Sequence, residues 1–317
     1  MQRCDPAMTP VFNSLLPVFL LIATGYLSRV GGLIEASSWT GIERLTYFVF
    51  FPAVIIQTLA RADLSSVPLL GVGGALIGAI LLNSGSLLLT RPLLERGLGV
   101  DGPSFTSLFQ ASTRWNTFVG LAVAGSLFGP RGITLIAVAI AAMVPLLNVL
   151  ALSVLVRYAG GPTLTIVQML RTLFVNPFIW SPAIGLALNG AAVELPQAVM
   201  SYIDILGRAS LAAGLLVVGA ALDLRRLAQP TIVHVLSMAL KLVALPVTAA
   251  MLAHQFGVGV PDLAVTVTAA SVPTSSAAYV LAKQMGGNAQ LMAELITLQT
   301  LAAFLTMPLA IWSVQVL

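Results

Sequence analysis

The chain has 317 residues, of which 58% are hydrophobic and only 8% charged, and its mean hydropathy is +0.99. A soluble domain carries roughly 25% charged residues to cover its surface, so this composition excludes a water-facing exterior and leaves lipid as the solvent. The net charge of +4 comes from basic residues scattered singly, which argues against a nucleic-acid surface, and Cys4 alone excludes an internal disulfide or a cysteine-built metal site.

A membrane-crossing helix needs about 20 mostly apolar residues. Apolar stretches separated by polar or Gly/Pro-rich punctuation predict ten spans, at 10–30, 39–60, 67–90, 103–128, 132–156, 168–190, 198–222, 231–253, 262–284 and 290–314. The first contains Pro17 and lacks a basic start leading into an Ala-x-Ala cleavage pattern, so it reads as a mature helix rather than a signal peptide. In the third, Gly71-Val72-Gly73-Gly74 with Gly78 has the small-residue spacing of close helix packing and not that of a phosphate loop. The fourth carries a polar patch, Ser112-Thr113-Arg114-Trp115-Asn116-Thr117, where lipid demands apolar residues. In the seventh, Asp204 and Arg208 stand four apart with the acid first, the favourable order for a helical ion pair. The ninth has Pro273 at its middle, followed by Thr274, Ser275 and Ser276, and proline removes a backbone donor and clashes with the preceding turn.

Orientation follows from the basic residues. With the N-terminus outside, the inner ends and loops hold nine of them (Arg29, Arg44, Arg91, Arg96, Arg157, Arg171, Arg225, Arg226, Lys283). The outer ones hold three, Arg3, Arg61 and Arg131, so the positive-inside rule predicts that both termini lie outside the cytoplasm.

Shifting the chain by 160 residues superimposes Pro17 on Pro177, Gly25 on Gly185 and Asp63-Leu64 on Asp223-Leu224, and it lays spans one to four over spans six to nine. Five spans per copy is odd, so the second copy would enter the membrane in the opposite sense. Inverted repeats are a transporter signature, with binding near the midplane where broken helices meet. The expected fold is therefore an all-α polytopic membrane protein of two inverted five-helix repeats, 1–157 and 168–317. Thr113 is the counterpart of Pro273, so helices four and nine are the candidates for a break. Unwound there, each C-terminal half would offer free amide donors and a positive dipole end to the midplane, a setting suited to an anion.

Individual residues carry more than one reading. Burying an arginine at a helix centre costs about 2.5–3.5 kcal/mol on insertion scales, and Arg114 is either a bidentate carboxylate clamp, half of a structural ion pair, or a hydrogen-bond partner of carbonyls freed by the break. Asn116 either contacts substrate or caps the second half-helix, and the hydroxyls of Thr274, Ser275 and Ser276 either contact substrate or satisfy the backbone around the proline. Lys241 is mid-span with no acid at helical spacing; it is a second positive charge beside the site, a proton carrier, or half of a distant ion pair. Glu294 is a coupling carboxylate, a partner for Lys283 or a helix N-terminal acid. Asn176-Pro177 and Pro17 read as kinks, Gln57, Asn83 and Asn148 as interhelical glue, and His234 and His254 as interfacial residues.

Several stretches together resemble the auxin efflux carrier family of the bile acid, arsenite and riboflavin transporter superfamily. They are Arg171 to Gly185 with Asn176-Pro177, Arg114-Trp115-Asn116-Thr117 leading to Gly129, Lys241 to Pro246, and Pro273 through Tyr279-Val280-Leu281-Ala282 to Gly286-Gly287 and Thr300 to Pro308. The resemblance covers essentially the whole chain. It implies that helices 1, 2, 6 and 7 form a scaffold, that helices 3–5 and 8–10 form a mobile transport domain with helices 4 and 9 crossing at the site, and that access alternates by an elevator-like movement. It also implies a homodimer through the scaffold. Plant members have a long hydrophilic loop between helices five and six; here that loop runs only from about Arg157 to Gln168, as suits a bacterial-type member.

The reading that results is a secondary transporter, not an enzyme, in the plasma (bacterial inner) membrane. Its substrate would be a small organic anion, a mono- or dicarboxylate, bound by Thr113, Arg114, Asn116, Pro273, Thr274, Ser275 and Ser276. Lys241 and Glu294 are the charge or coupling candidates, and proton or sodium the candidate coupling ion; no cofactor or metal is expected. A sodium-coupled symporter of the bile acid type and a non-transporting membrane sensor are the alternatives.

Overall fold

The computed structural model describes residues 8–64, 67–161, 166–193, 195–226 and 230–315, and the described residues are helical with no strand among them. Arg3 lies outside them. Seven helical runs among them are long and apolar enough to cross a membrane. One of these, Gly102–Tyr158, has 57 residues; at about 1.5 Å per residue it would reach about 85 Å, far beyond a hydrocarbon core of about 30 Å. It turns back at Gly129, whose φ of 58° and ψ of −146° form a backbone conformation that suits glycine. The run thereby holds the fourth and fifth expected spans.

The other elements follow the sequence closely. Helix α1 is Met8–Val30, and Pro17 sits inside it without interrupting it. The second expected span comprises α2 (Ala36–Leu45), a π-helical stretch Thr46–Phe50, and α3 (Phe51–Ala60) with Pro52 in its first turn. Then come α4 (Leu69–Leu98), α5 (Gly102–Thr113), capped by Asp101, and α6 (Thr117–Tyr158). The sixth expected span is divided at Asn176 into α7 (Ile166–Val175) and α8 (Pro177–Gly190), because the Asn176 side chain accepts the Phe178 N–H and starts a new helix with proline at its first position. Helix α9 is Gln197–Ala221. The eighth expected span is α10 (Ile232–Met238), a second π-helical stretch Ala239–Ala244, and α11 (Leu245–Gln255). The ninth is α12 (Val260–Ser271) and α13 (Ala277–Met285), separated by residues 272–276, and the last is α14 (Ala289–Gln315).

Two packing groups emerge. In one, α1 lies on α9, α3 on α8, and α3 on α9; in the other, α4 packs on α11, α11 on α12, α12 on α14 and α6, and α5 on α6. Gly25 and Gly185 make the first group's contacts close: a Cβ on Gly25 would collide with the Leu216 carbonyl, and one on Gly185 would stand 3.2 Å from that of Ile56. These two contacts are related by the same shift of 160 residues found in the sequence, 25 to 185 and 56 to 216. Two hydrogen bonds repeat the relation: Arg29 Nη2 donates to the Leu222 carbonyl and Asn189 Nδ2 to that of Ala62.

Where the groups meet there are two larger cavities. One of about 570 Å³ lies between α3, α9 and α6 and includes Gln57, Arg61, Asp63 and Arg131. The other, of about 390 Å³, lies between α1, α2, α9 and α13–α14 and includes Arg29, Glu43, Asp223 and Ser276. Gln57, Arg61 and Asp63 of the first correspond, by the 160-residue shift, to Val217, Ala221 and Asp223 of the second.

Candidate substrate site

The two interrupted helices meet at their interruptions. Asn116 N–H donates to the Pro273 carbonyl at 2.9 Å, and the Thr274 hydroxyl donates to the Ala111 carbonyl at 2.6 Å. Arg114, with φ −67° and ψ 155°, leaves the helix where α5 ends, and Asn116 restarts it as the cap of α6, its Oδ1 accepting Val119 N–H at 3.3 Å. On the other side Val272 leaves α12 in an extended conformation, and Ser275 Oγ accepts the Ala277 N–H at the start of α13.

Four half-helix ends therefore converge, and their treatment differs by polarity. The carbonyl ends, where partial negative charge accumulates, are met by donors from neighbouring helices. Asn83 Nδ2 donates to the Ser112 carbonyl at 2.7 Å, and Gln299 Nε2 to that of Ala111 at 2.9 Å. Lys241 Nζ, wholly buried, reaches the Ala270 carbonyl at 3.5 Å. Asn83–Ser112 and Lys241–Ala270 are themselves related by one common shift, 158 residues. The amide ends, which carry partial positive charge, instead border a cavity of about 50 Å³ beside Thr117, Ser275 and Ala277.

Arg114 projects its charge to the same cavity. Its Nη2 donates to Asn148 Oδ1 at 3.2 Å, its Nη1 is buried without a partner, and no carboxylate forms an ion pair with it among the described residues. Asn148 Nδ2 and Trp115 Nε1 are buried and unpartnered beside it. The facing wall is aromatic: Tyr47 donates its hydroxyl to Asn176 Oδ1 at 3.0 Å, and Phe178 stacks 4.0 Å from Phe51 between ring centroids. The residues of the lining thus include an arginine, two side chains with an unpartnered N–H group and the residues at two helix amino ends, with no acid among them. That is an environment for an anion. A volume of about 50 Å³ accommodates a few waters or a carboxylate group.

Among the residues singled out in the sequence, Arg114, Ser275 and Asn176 line this cavity. Thr113, Asn116, Pro273 and Thr274 form the crossing itself: Thr113 Oγ1 bonds the Phe109 carbonyl, and Thr274 N–H donates to Gln299 Oε1 at 3.0 Å. Ser276 opens on the 390 Å³ cavity. Lys241 lies at the end of α12, and Glu294 is buried against His234. His234, expected at an interface, is buried at 2% exposure. Pro177 starts a helix, whereas Pro17 lies within an uninterrupted α1, so the superimposed prolines do different jobs. Gln57 and Asp204 bond at 2.8 Å and Asp204 pairs with Arg208 at 2.6 Å, a structural set away from the crossing.

Sequence reasoning passed over Tyr47 and Gln299 and read Asn148 only as glue. A signal existed for each: Gln299 is an amide near the middle of an apolar span, and Tyr47 precedes a proline in a span where a π-helical stretch forms. Such stretches often mark functional positions. Both π-helical stretches here carry such a residue, Tyr47 in one and Lys241 in the other.

A polytopic helical chain with two broken helices crossing beside a buried cationic cavity defines a class, the membrane transporters with discontinuous helices. The chain matches the family described as "Membrane transport protein" over residues 10–311 and belongs to it. It is also 27% identical over 306 residues to an "Uncharacterized transporter" of Methanothermobacter thermautotrophicus, an alignment covering 95% of this chain and 97% of that one. The protein is thus a multi-pass membrane protein of a transporter family.

Proposed function

We propose that the protein is a secondary transporter of a small organic anion, a mono- or dicarboxylate, held in the central cavity. The observation that carries this reading is Arg114: a half-buried arginine with one occluded, unpartnered nitrogen, lining a cavity bordered by helix amino ends and free of acids. A carboxylate accepts from two guanidinium nitrogens at once, and Trp115 Nε1 and Asn148 Nδ2 supply further donors at its edges. Thr113, Asn116, Pro273 and Thr274 hold the crossing, and Ser275 and Ser276 offer hydroxyls to the two sides of it.

The chain is then ten membrane helices in two inverted repeats. The contact pairs related by 160 residues support that reading, as does the division of the molecule into two packing groups. The group of α1, α3, α8 and α9 acts as the scaffold, and the group containing both broken helices as the moving transport domain. The two larger cavities correspond under the repeat and serve as vestibules on opposite faces, between which an elevator-like movement exchanges the site. We carry over from the resemblance the place in the bile acid, arsenite and riboflavin transporter superfamily, the plasma membrane location and a homodimer through the scaffold; the basic residues support both termini outside. Sodium coupling is disfavoured because Lys241 already occupies the carbonyl end of α12, where a transported cation would find its ligands.

The test is a thermal-shift screen of purified protein with malonate, malate, aromatic acids of the auxin type and the neutral amide of each. Acids are expected to stabilise the wild type and not Arg114→Ala, and amides neither. Amides that stabilise as strongly as the acids would refute an anion site.

A further inference from the structure

Away from the cavity, α10 and α14 bury a second polar cluster. His234 and Glu294 are 2% and 5% exposed, and His234 Nε2 stands 3.1 Å from Glu294 Oε2. The hydrogen positions follow from the neighbours. Thr231 N–H points at His234 Nδ1 at 3.1 Å, so Nδ1 accepts, and the neutral ring carries its hydrogen on Nε2 and donates it to the carboxylate. Gln290 Nε2 donates to the other oxygen, Oε1, at 3.2 Å. In this state a buried carboxylate is met only by neutral donors, which is costly.

The charges on the surrounding elements are engaged elsewhere or exposed. Lys241 is bonded to the Ala270 carbonyl, Asp262 of α12 is held by Arg131 at 2.7 Å, and Arg29 of α1 is bonded to the Leu222 carbonyl. Lys283 of α13 and Arg225 of the turn Leu224–Arg226 are exposed, Tyr279 of α13 lines the 390 Å³ cavity, and α5 carries no titratable side chain. Tyr26 is the remaining titratable group of α1. Among the described residues His234 is the basic group that pairs with Glu294.

We propose that the His234–Glu294 pair is a proton-binding site linked to the crossing. A proton taken from water adds to Nδ1, which stops accepting from Thr231 N–H and donates instead to the Thr231 hydroxyl, 2.7 Å away. The pair becomes imidazolium and carboxylate, with no net charge, and the start of α10 loses one cap hydrogen bond. The next rung between the same helices is Ser237–Gln299, at 2.8 Å, and Gln299 also holds the Ala111 carbonyl and the Thr274 N–H of the two broken helices. A change in how α10 grips α14 therefore reaches the crossing through one residue.

Proton binding does not depend on the transport reading; its link to flux does, and the experiment separates the two. With only two histidines in the chain, nitrogen NMR of histidine-labelled protein in nanodiscs yields two rings, and His254→Asn assigns them. Acidification from about pH 8 to about pH 5, the range in which histidine changes charge, is expected to convert His234 Nδ1 from acceptor to N–H. In Glu294→Gln the His234 Nε2 signal is expected to move, because its carboxylate partner is gone. A His234 ring that stays neutral throughout, or whose Nε2 signal is the same in Glu294→Gln, overturns the site. In proteoliposomes enclosing a pH dye, malonate entry is expected to move protons in the wild type and not in Glu294→Gln. Malonate entry without proton movement overturns the link, whereas absence of malonate entry counts against the transport reading and leaves the NMR result to decide the proton site.

Discussion

The two helix breaks perform one mechanical task with different chemistry. The first, residues 114–116, is short and contains an arginine, a tryptophan and an asparagine; the second, residues 272–276, contains a proline and three hydroxyl residues. Each restarts its helix with a side-chain oxygen, Asn116 Oδ1 in one and Ser275 Oγ in the other. The carbonyl ends are closed by corresponding donors, but one is the amide of Asn83 and the other the amine of Lys241. The backbone of the crossing follows the repeat, and the charges do not. Arg114 lines the cavity and has one unpartnered nitrogen, while Lys241 is turned to the backbone of α12. The contacts that recur at a common shift are contacts to backbone, and the side chains at the two breaks are where the halves differ.

The largest effect expected is at Arg114. Losing one partner of a buried, hydrogen-bonded charge pair costs about 2–5 kcal/mol, so Arg114→Ala is expected to weaken carboxylate binding by on the order of 100-fold or more, as measured by calorimetry. Arg114→Lys keeps the charge and loses the planar fork, so it should fall between the two. If Thr274→Ala cost as much affinity as Arg114→Ala, the two breaks would be chemically equivalent and the comparison would fail.

Next in size is Gln299, which serves both breaks at once. Gln299→Leu orphans the Thr274 N–H and one bond to the Ala111 carbonyl, each buried polar group left unpaired costing about 1–3 kcal/mol. A clear fall in thermal midpoint is expected even without substrate. Smaller again is the pair of close helix contacts. Gly25→Ala and Gly185→Ala each force a methyl against backbone, and overpacking of this kind costs about 1–3 kcal/mol. Both should lower the midpoint, Gly25→Ala more, since its collision is directly with a carbonyl. One variant without effect would break the correspondence between α1–α9 and α3–α8. The smallest effect belongs to Arg208, 81% exposed and paired with Asp204. Arg208 and Asp204 line the 570 Å³ cavity, read above as a vestibule, so Arg208→Ala is expected to leave the midpoint unchanged, because ion pairs open to water contribute little.

The lipid solvent, the long apolar helices and the two breaks were legible in the sequence, because charge scarcity, apolar run length and a mid-span proline or arginine are local facts. Asn116 was legible as a cap for the same reason. What escaped depends on distance through space. Pro17 and Pro177 look alike, yet only Pro177 follows an asparagine whose side chain bonds its helix start, and the chain breaks only there. His234 stands near the end of its span, where a histidine reads as interfacial; it is buried because Glu294, 60 residues away, lies against it. Asn148 is one amide among several until the return of α6 at Gly129 brings it to Arg114. Gln299 had no partner in its own span, and three of its bonds go to other helices.

The most direct measurement is flux of labelled malonate and malate into proteoliposomes, compared with their amides, for wild type and Arg114→Ala. Entry of an acid but not its amide, lost on removal of the guanidinium, is the result predicted. Amides that enter as fast as acids, or acids that enter Arg114→Ala vesicles at the wild-type rate, would contradict an arginine-centred anion site.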